Sequence, residues 1–441
     1  MVFGWQVDYL AMQLRPERFG LILKWAEYGY AGLLIFTLTQ GPVLSLWYAS
    51  EQQGLSPAIG PHLATYFLIQ IPALLAVSRK RFTIRDLKGP MGVLAIFCLW
   101  LIASTVWATN GQHSIVESVS LLTTFICGIY FSKSFNLLEK LTVIVVAMQP
   151  GLLISRFAIS RNWSLSTSIE KYWVGIYFNR NSLAPVAMVS VIAASALFYL
   201  IYKHKANRFR TYKLFLLADA ILFGFVVVIR TGSNNPFGGL LAFVSVFMFW
   251  ETIRRSSLKK FLKVDKSKNN LFVFFAALVM AGSWVAVQFQ SKILGLFGET
   301  VDFNGRSEIW KYSWNGFLER PFLGWGWLSA WRSWAFMRMN FWWTVEGVVW
   351  SHNAYLDLLL GGGVLAVVLF GVAVVWGSYR LIPTHPDNPI ESWPIAFLFF
   401  YLAMCTQESF IIGNHFLWML FVAILTSNTT ISTQQDQSLT V

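Results

Sequence analysis

Arg306 and His352 bracket the longest polar-punctuated stretch of an otherwise apolar chain. A guanidinium grips a diphosphate in a bidentate way that an ammonium cannot. A fixed one also stabilises a departing diphosphate as its charge grows. The plainer reading of Arg306 is a solvated arginine at a helix start. His352 follows Ser351, which is placed to cap a helix beginning near His352. The positive end of such a helix suits an anion and disfavours imidazolium, so the ring stays neutral and able to take a proton. The plainer reading here is a histidine anchoring a helix end at a membrane surface.

Other polar residues are weaker candidates. Arg230 ends the apolar run Phe223 to Ile229 and begins the turn Thr231-Gly232-Ser233-Asn234-Asn235-Pro236. An arginine at that depth either snorkels or meets a partner, and a substrate is one such partner. Arg180-Asn181 opens an apolar span much as His352-Asn353 does, with Arg156 and Arg161 nearby in sequence. Carboxylates are sparse around these residues, with Glu308, Glu319, Glu346 and Glu408 among them, and no DxD or ExxE pair stands ready for a divalent ion. The six histidines show no HxH or HExxH spacing. A protein-held metal and a bound cofactor are therefore not expected. Asp357 lies about 140° around a helix from His352, which predicts a packing role for it.

These residues are set in a membrane chain. Of 441 residues 56% are hydrophobic and 12% charged, with a mean hydropathy of +0.55; soluble domains carry about 25% charged residues. A span needs about 20 apolar residues, and about twelve candidates follow, near 28–48, 61–78, 90–108, 115–132, 139–157, 182–202, 214–230, 237–252, 271–289, 353–377, 392–405 and 409–427. Arg15, Glu17, Arg18, Lys24 and Glu27 interrupt the start, so no cleavable signal sequence is expected before the first span. The net charge of +13 sits in clusters, at Arg79 to Lys88, Lys203 to Lys213 and Arg254 to Lys268. With an inside N-terminus, most of the 34 Lys and Arg fall on the cytoplasmic side. That makes the charge a topology signal and excludes a nucleic-acid footprint. Cys98, Cys127 and Cys405 each lie in an apolar span, and no disulfide framework is visible.

The same topology places one large outer loop at about 290–350, between the ninth and tenth spans. Within it Arg306 to Arg320 reads as a helix with Trp310, Trp314, Phe317 and Leu318 on one apolar face. Pro321 and Gly324-Trp325-Gly326-Trp327 end it. Such a helix would lie in the interface, its tryptophans at headgroup depth. Trp331, Trp334, Phe336, Phe341, Trp342, Trp343 and Trp350 form a second aromatic group. Belt anchoring is the plain reading of these rings, and a sugar-stacking platform the sharper one for one or two, Trp310 first.

The pattern resembles a known family. His352-Asn353, nine residues and then Gly363 is similar to the HNx9G signature of bacterial O-antigen ligases and Wzy-type polymerases. Gly305-Arg306 with Ile309-Trp310, then Arg320-Pro321, Leu323-Gly324 and Gly326, resembles the GR…IW…RPxxGxG run of the exopolysaccharide polymerase branch. Gly175 to Asn181 is similar to an earlier GxxxNxN-type element. The family usually has an arginine after its Thr-Gly-Ser element; here Arg230 precedes it.

The resemblance implies transfer of glycan from a polyprenyl-diphosphate carrier to an acceptor glycan at the outer face of the bacterial cytoplasmic membrane, metal-independent and with inversion. Arg306 would bind the diphosphate, and His352 would activate the acceptor hydroxyl or contact the donor phosphate. Arg230, Arg180, Asn181, Asn353 and Trp310 are the expected substrate-binding residues. The expected fold is an all-α, multi-pass single transmembrane domain over 1–427 with a polar tail at 428–441, and a lateral cleft roofed by the large loop. A polysaccharide polymerase, with a chain-length regulator as an optional partner, is favoured over a ligase acting on lipid A-core. A transporter or flippase and a noncatalytic scaffold of an assembly complex are the readings from other classes.

Overall fold

The computed structural model describes residues 16–43, 45, 59–79, 87–163, 166–168, 171–177, 179–203, 209–256, 306–332, 350–383 and 389–427. Among these residues the regular structure is helical, and the one β contact is an isolated bridge between Thr167 and Trp173. Twelve α-helices are described: α1 (Pro16–Leu38), α2 (Ile59–Arg79), α3 (Pro90–Ala103), α4 (Gly111–Ser134), α5 (Leu137–Ser160), α6 (Arg180–Lys203), α7 (Arg210–Thr231), α8 (Asn235–Arg255), α9 (Arg306–Glu319), α10 (Ala354–Arg380), α11 (Ser392–Met404) and α12 (Phe416–Leu425). Seven are long and apolar enough to cross a membrane, and four apolar helices are shorter, at Leu63–Ser78, Pro90–Val106, Ser392–Met404 and Phe416–Leu425. The protein is an all-helical polytopic membrane protein. The span expected at 271–289, the tail at 428–441 and most of the loop expected at 290–350 lie outside the described residues.

The helices gather in two compact units. In the first, made of residues up to Ile69 together with Phe135–Gly232, α6 packs between α5 and α7. Small side chains allow the close approach: Gly224 of α7 lies against Val191 and the Ala187 carbonyl of α6. Asn136 caps α5 through a reciprocal pair with Glu139, each side chain accepting the other's amide at 2.9 Å. Glu139 also accepts from Lys24 at 3.0 Å and from the Tyr28 hydroxyl, which ties α1 to the start of α5.

The second unit comprises Gln70–Ser134 and the chain from Ser233 onward. Here α10 packs on α3, α12 on α4, α8 on α11 and α9 on α10. Helix α12 is buried throughout and α11 for most of its length, their rings stacked at Tyr401–Phe421 (4.6 Å) and Trp418–Phe421 (5.4 Å). Their connection is non-helical and holds buried polar side chains, Glu408, Ser409, Asn414 and His415. Irregular backbone is tolerated within a membrane protein where other protein groups satisfy it. Asn414 accepts from Gln70 at 2.8 Å, and its amide donates to Thr124 Oγ1 at 2.8 Å.

Helix α10 is broken at Gly363, where φ is 67° and ψ is −168°. A break frees backbone groups that must find new partners. The Gly-Trp-Gly run supplies them. The amides of Trp325 and Gly326 donate to the carbonyls of Leu360 (2.8 Å) and Gly361 (3.0 Å), and Val364 donates to the Pro321 carbonyl at 2.8 Å. Trp100 Nε1 closes the set by donating to the Gly362 carbonyl at 2.9 Å. Gly324 (φ 68°) and Gly326 (φ 90°) adopt left-handed backbone to lie this close. The RPxxGxG run and the glycine that follows nine intervening residues after His352-Asn353 are therefore the two halves of one backbone lock. A Cβ on Gly363 would meet the Phe322 carbonyl oxygen at 2.1 Å. Gly363→Ala should cost about 1–3 kcal/mol in backbone strain alone, read as a lower thermal unfolding midpoint of the purified protein.

Candidate active site

The lock sets the start of α10, and the start of α10 carries the histidine. Asn353, not the expected Ser351, is the N-cap: its Oδ1 accepts from the amides of Tyr355 (3.0 Å) and Leu356 (3.2 Å). His352 sits just outside the helix in a left-handed conformation, φ 50°, uncommon for a residue with a side chain. The turn is held from several directions. The Ser351 amide donates to Asp357 Oδ1 at 2.9 Å, its carbonyl accepts from Trp310 Nε1 at 3.0 Å, and its hydroxyl lies 2.9 Å from that of Ser313. Asp357 also accepts from the Ser409 hydroxyl. Its role is more than the packing expected of it, because it ties the His352 turn to the α11–α12 connection.

Helix α9 forms where expected, and its protein-facing side is set by small residues. Ile309, Ser313, Gly316 and Phe317 turn inward, while Trp314 and Leu318 are 48% and 56% exposed. Small residues at Ser313 and Gly316 let the helix approach the Ser351 turn closely, and Trp325 Nε1 donates to the Gly316 carbonyl at 2.8 Å. Ile309, Trp325, Ala330, Trp331 and Leu360 form the core beneath. Trp331 is thus an interior ring rather than part of an aromatic belt. Trp334, Phe336, Phe341, Trp342 and Trp343 lie outside the described residues.

Arg306, the first residue of α9, points at the α11–α12 connection. Its Nη2 donates to Glu408 Oε1 at 2.6 Å and its Nη1 to the Gln407 carbonyl at 2.6 Å. The second oxygen of Glu408 lies 3.0 Å from His352 Nδ1. Trp350 Nε1 also approaches that nitrogen, at 3.3 Å. One nitrogen cannot donate to Glu408 and accept from Trp350 together. The carboxylate contact is shorter and charge-assisted, so Nδ1 carries the proton and donates to Glu408. Nε2 is then the lone-pair nitrogen, on a ring whose side chain is 30% exposed. Arg306, Trp310, His352 and Asn353 are thereby brought together, and Glu408 joins them. Sequence reasoning noted that carboxylate without assigning it a partner. Among the described residues no three His, Cys, Asp or Glu side chains gather to hold a metal ion.

Arg180, Asn181 and Arg230 belong to the other unit. There the guanidinium of Arg180 lies over the Tyr172 ring at 4.8 Å, and those of Arg156 and Arg230 lie over the Trp173 ring at 5.3 and 5.9 Å. The Trp173 amide donates to the Arg230 carbonyl at 3.0 Å. Gly232 follows with φ 59°, and a Cβ there would meet the Tyr172 ring at 2.3 Å. The Tyr172-Trp173 pair thus collects three arginines on two neighbouring rings. The Asn181 amide donates to Asn179 Oδ1 at 2.8 Å.

A polytopic helical membrane protein with an arginine, a carboxylate and a histidine joined beside a broken helix is the class that fold and site define. Residues 220–371 match the family model described as O-antigen ligase, which supports kinship of that segment with the O-antigen ligase and Wzy-type family. The match supports a membrane enzyme that ligates or polymerises glycans. The matched segment contains Arg230, Arg306, Trp310, His352, Asn353 and Gly363; Arg180, Asn181 and Glu408 lie beyond it. No curated protein and no solved structure matches the chain.

Proposed function

We propose that the protein is a metal-independent, inverting polysaccharide polymerase working at the outer face of the bacterial cytoplasmic membrane. The single observation that carries this reading is the chain of contacts from Arg306 through Glu408 to His352 Nδ1. It leaves Nε2 as a proton acceptor a short distance from a guanidinium suited to phosphate. His352 Nε2 removes the acceptor hydroxyl's proton as that oxygen bonds to the donor's anomeric carbon. The bond from that carbon to the diphosphate oxygen breaks, and its electron pair leaves with the polyprenyl diphosphate. Arg306 stabilises the charge that develops there. Attack opposite the leaving group inverts the anomeric centre.

Trp310, half-buried and braced through Nε1, offers its ring to a sugar face. Asn353 commits Oδ1 to the helix cap, and its amide nitrogen donates to a sugar hydroxyl. Arg180, Arg230 and Asn181 supply further contacts to anionic or polar parts of the substrates. The GR…IW…RPxxGxG run favours polymerase. A ligase acting on lipid A-core is the second reading, favoured by the description of the matched family model. The deciding experiment is turnover of a purified polyprenyl-diphosphate oligosaccharide with EDTA present. Products that lengthen on the lipid diphosphate support the polymerase, and transfer only to lipid A-core supports the ligase. Activity lost to EDTA and restored by a divalent ion would sink the metal-independent mechanism. Movement of the lipid across vesicles with no diphosphate released would turn the reading to a transporter.

A further inference from the structure

Resting on that reading of Arg306 and His352, we infer that Glu408 is a shared positioning residue through which the bound donor strengthens the base. One carboxylate serves two masters here: Oε1 holds Arg306 at 2.6 Å and Oε2 holds His352 Nδ1 at 3.0 Å. Arg306 is also held by the Gln407 carbonyl, so without substrate its fork faces the chain. The side chains of Arg306 and Glu408 are 19% and 9% exposed, a setting in which a charge-assisted bond is stronger than in water.

A lipid diphosphate presents more negative charge than one carboxylate and matches the guanidinium fork at two oxygens. When it takes Arg306, Glu408 loses the cation that offset it. Its charge then acts more fully on the Nδ1–H of His352. A carboxylate in that place stabilises the imidazolium formed once Nε2 has taken a proton. The base therefore gains strength when the donor is seated. Glu408 itself need not follow Arg306, because the next residue, Ser409, is bonded to Asp357, and Asp357 is bonded to the Ser351 amide. The carboxylate stays on the histidine's side.

The diagnostic feature is a split of opposite sign. Glu408→Gln keeps the shape and removes the charge, which releases Arg306 and weakens support of the imidazolium. Affinity for a polyprenyl diphosphate in nanodiscs should tighten about three- to tenfold, the scale of one net hydrogen bond no longer surrendered. Turnover of the lipid-linked oligosaccharide should fall about 10- to 100-fold. Glu408→Asp, which keeps the charge, should not tighten binding. A residue that merely held the fold would weaken both quantities in Glu408→Gln. Unchanged or weaker diphosphate binding, or unchanged turnover, overturns the inference. Should Glu408→Gln not be recovered folded, histidine-labelled wild-type protein gives the answer by nitrogen NMR. The Nδ1–H resonance of His352 should move downfield on saturation with the diphosphate, and a resonance that does not move overturns the inference. If Arg306→Lys and His352→Ala both keep full activity, the reading of the site itself fails. If those two fall as expected and the split is absent, only the shared role of Glu408 fails.

Discussion

Replacing His352 by alanine should lower turnover about 10²- to 10⁴-fold, the scale of a lost general base, with little change in affinity for the lipid diphosphate. The two quantities separate because the proton moves only during reaction, whereas the diphosphate is bound before it. Nε2 is the nitrogen concerned, since Nδ1 is engaged with Glu408. Single-turnover rates and direct binding of the lipid diphosphate, measured on the same preparation, check both halves. A variant that loses binding in step with turnover would move His352 from base to phosphate ligand.

Arg306→Lys should fail differently. The positive charge survives, so the ion pair with Glu408 can re-form, but the planar fork is gone. Stabilisation of the departing diphosphate should fall with it, lowering kcat/KM about 10²- to 10³-fold, the scale of one lost transition-state donor. Diphosphate affinity should weaken as well, which distinguishes this variant from His352→Ala. Steady-state kinetics with varied donor, EDTA throughout, measures the effect. Full activity in the lysine variant would show that point charge suffices and that the bidentate geometry of Arg306 plays no part.

Arg306 and His352 were legible in the sequence because both stand out as polar groups in an apolar chain with recognisable neighbours. Glu408 was visible as a sparse carboxylate, yet nothing local connects it to an arginine 102 residues away or a histidine 56 away. Only the non-helical turn between α11 and α12 brings it there. Which face of α9 packs on the protein was not legible, for a physical reason. In a membrane protein the outward face is apolar too, so periodicity in Trp310, Trp314, Phe317 and Leu318 does not say which side turns inward. Ser313 and Gly316 were the better guides, since smallness permits approach. The cap was displaced by two residues because Ser351 and Asn353 are both good cap formers, and the left-handed His352 decides between them. The break at Gly363 left a trace in the glycine triplet, but its partner, the Gly324–Gly326 backbone, became apparent only in three dimensions.

The break in α10 also bears on how the enzyme tolerates its solvent. A membrane of unfamiliar thickness tilts a long spanning helix, and a catalytic group at the end of an uninterrupted rod would swing through an arc with it. Here the rod, Val364–Arg380, ends at Gly363. The stub beyond it answers to Trp325, Gly326 and Trp100 instead. The break therefore refers His352 to the Pro321–Gly326 run and to Trp100, and not to the spanning limb alone.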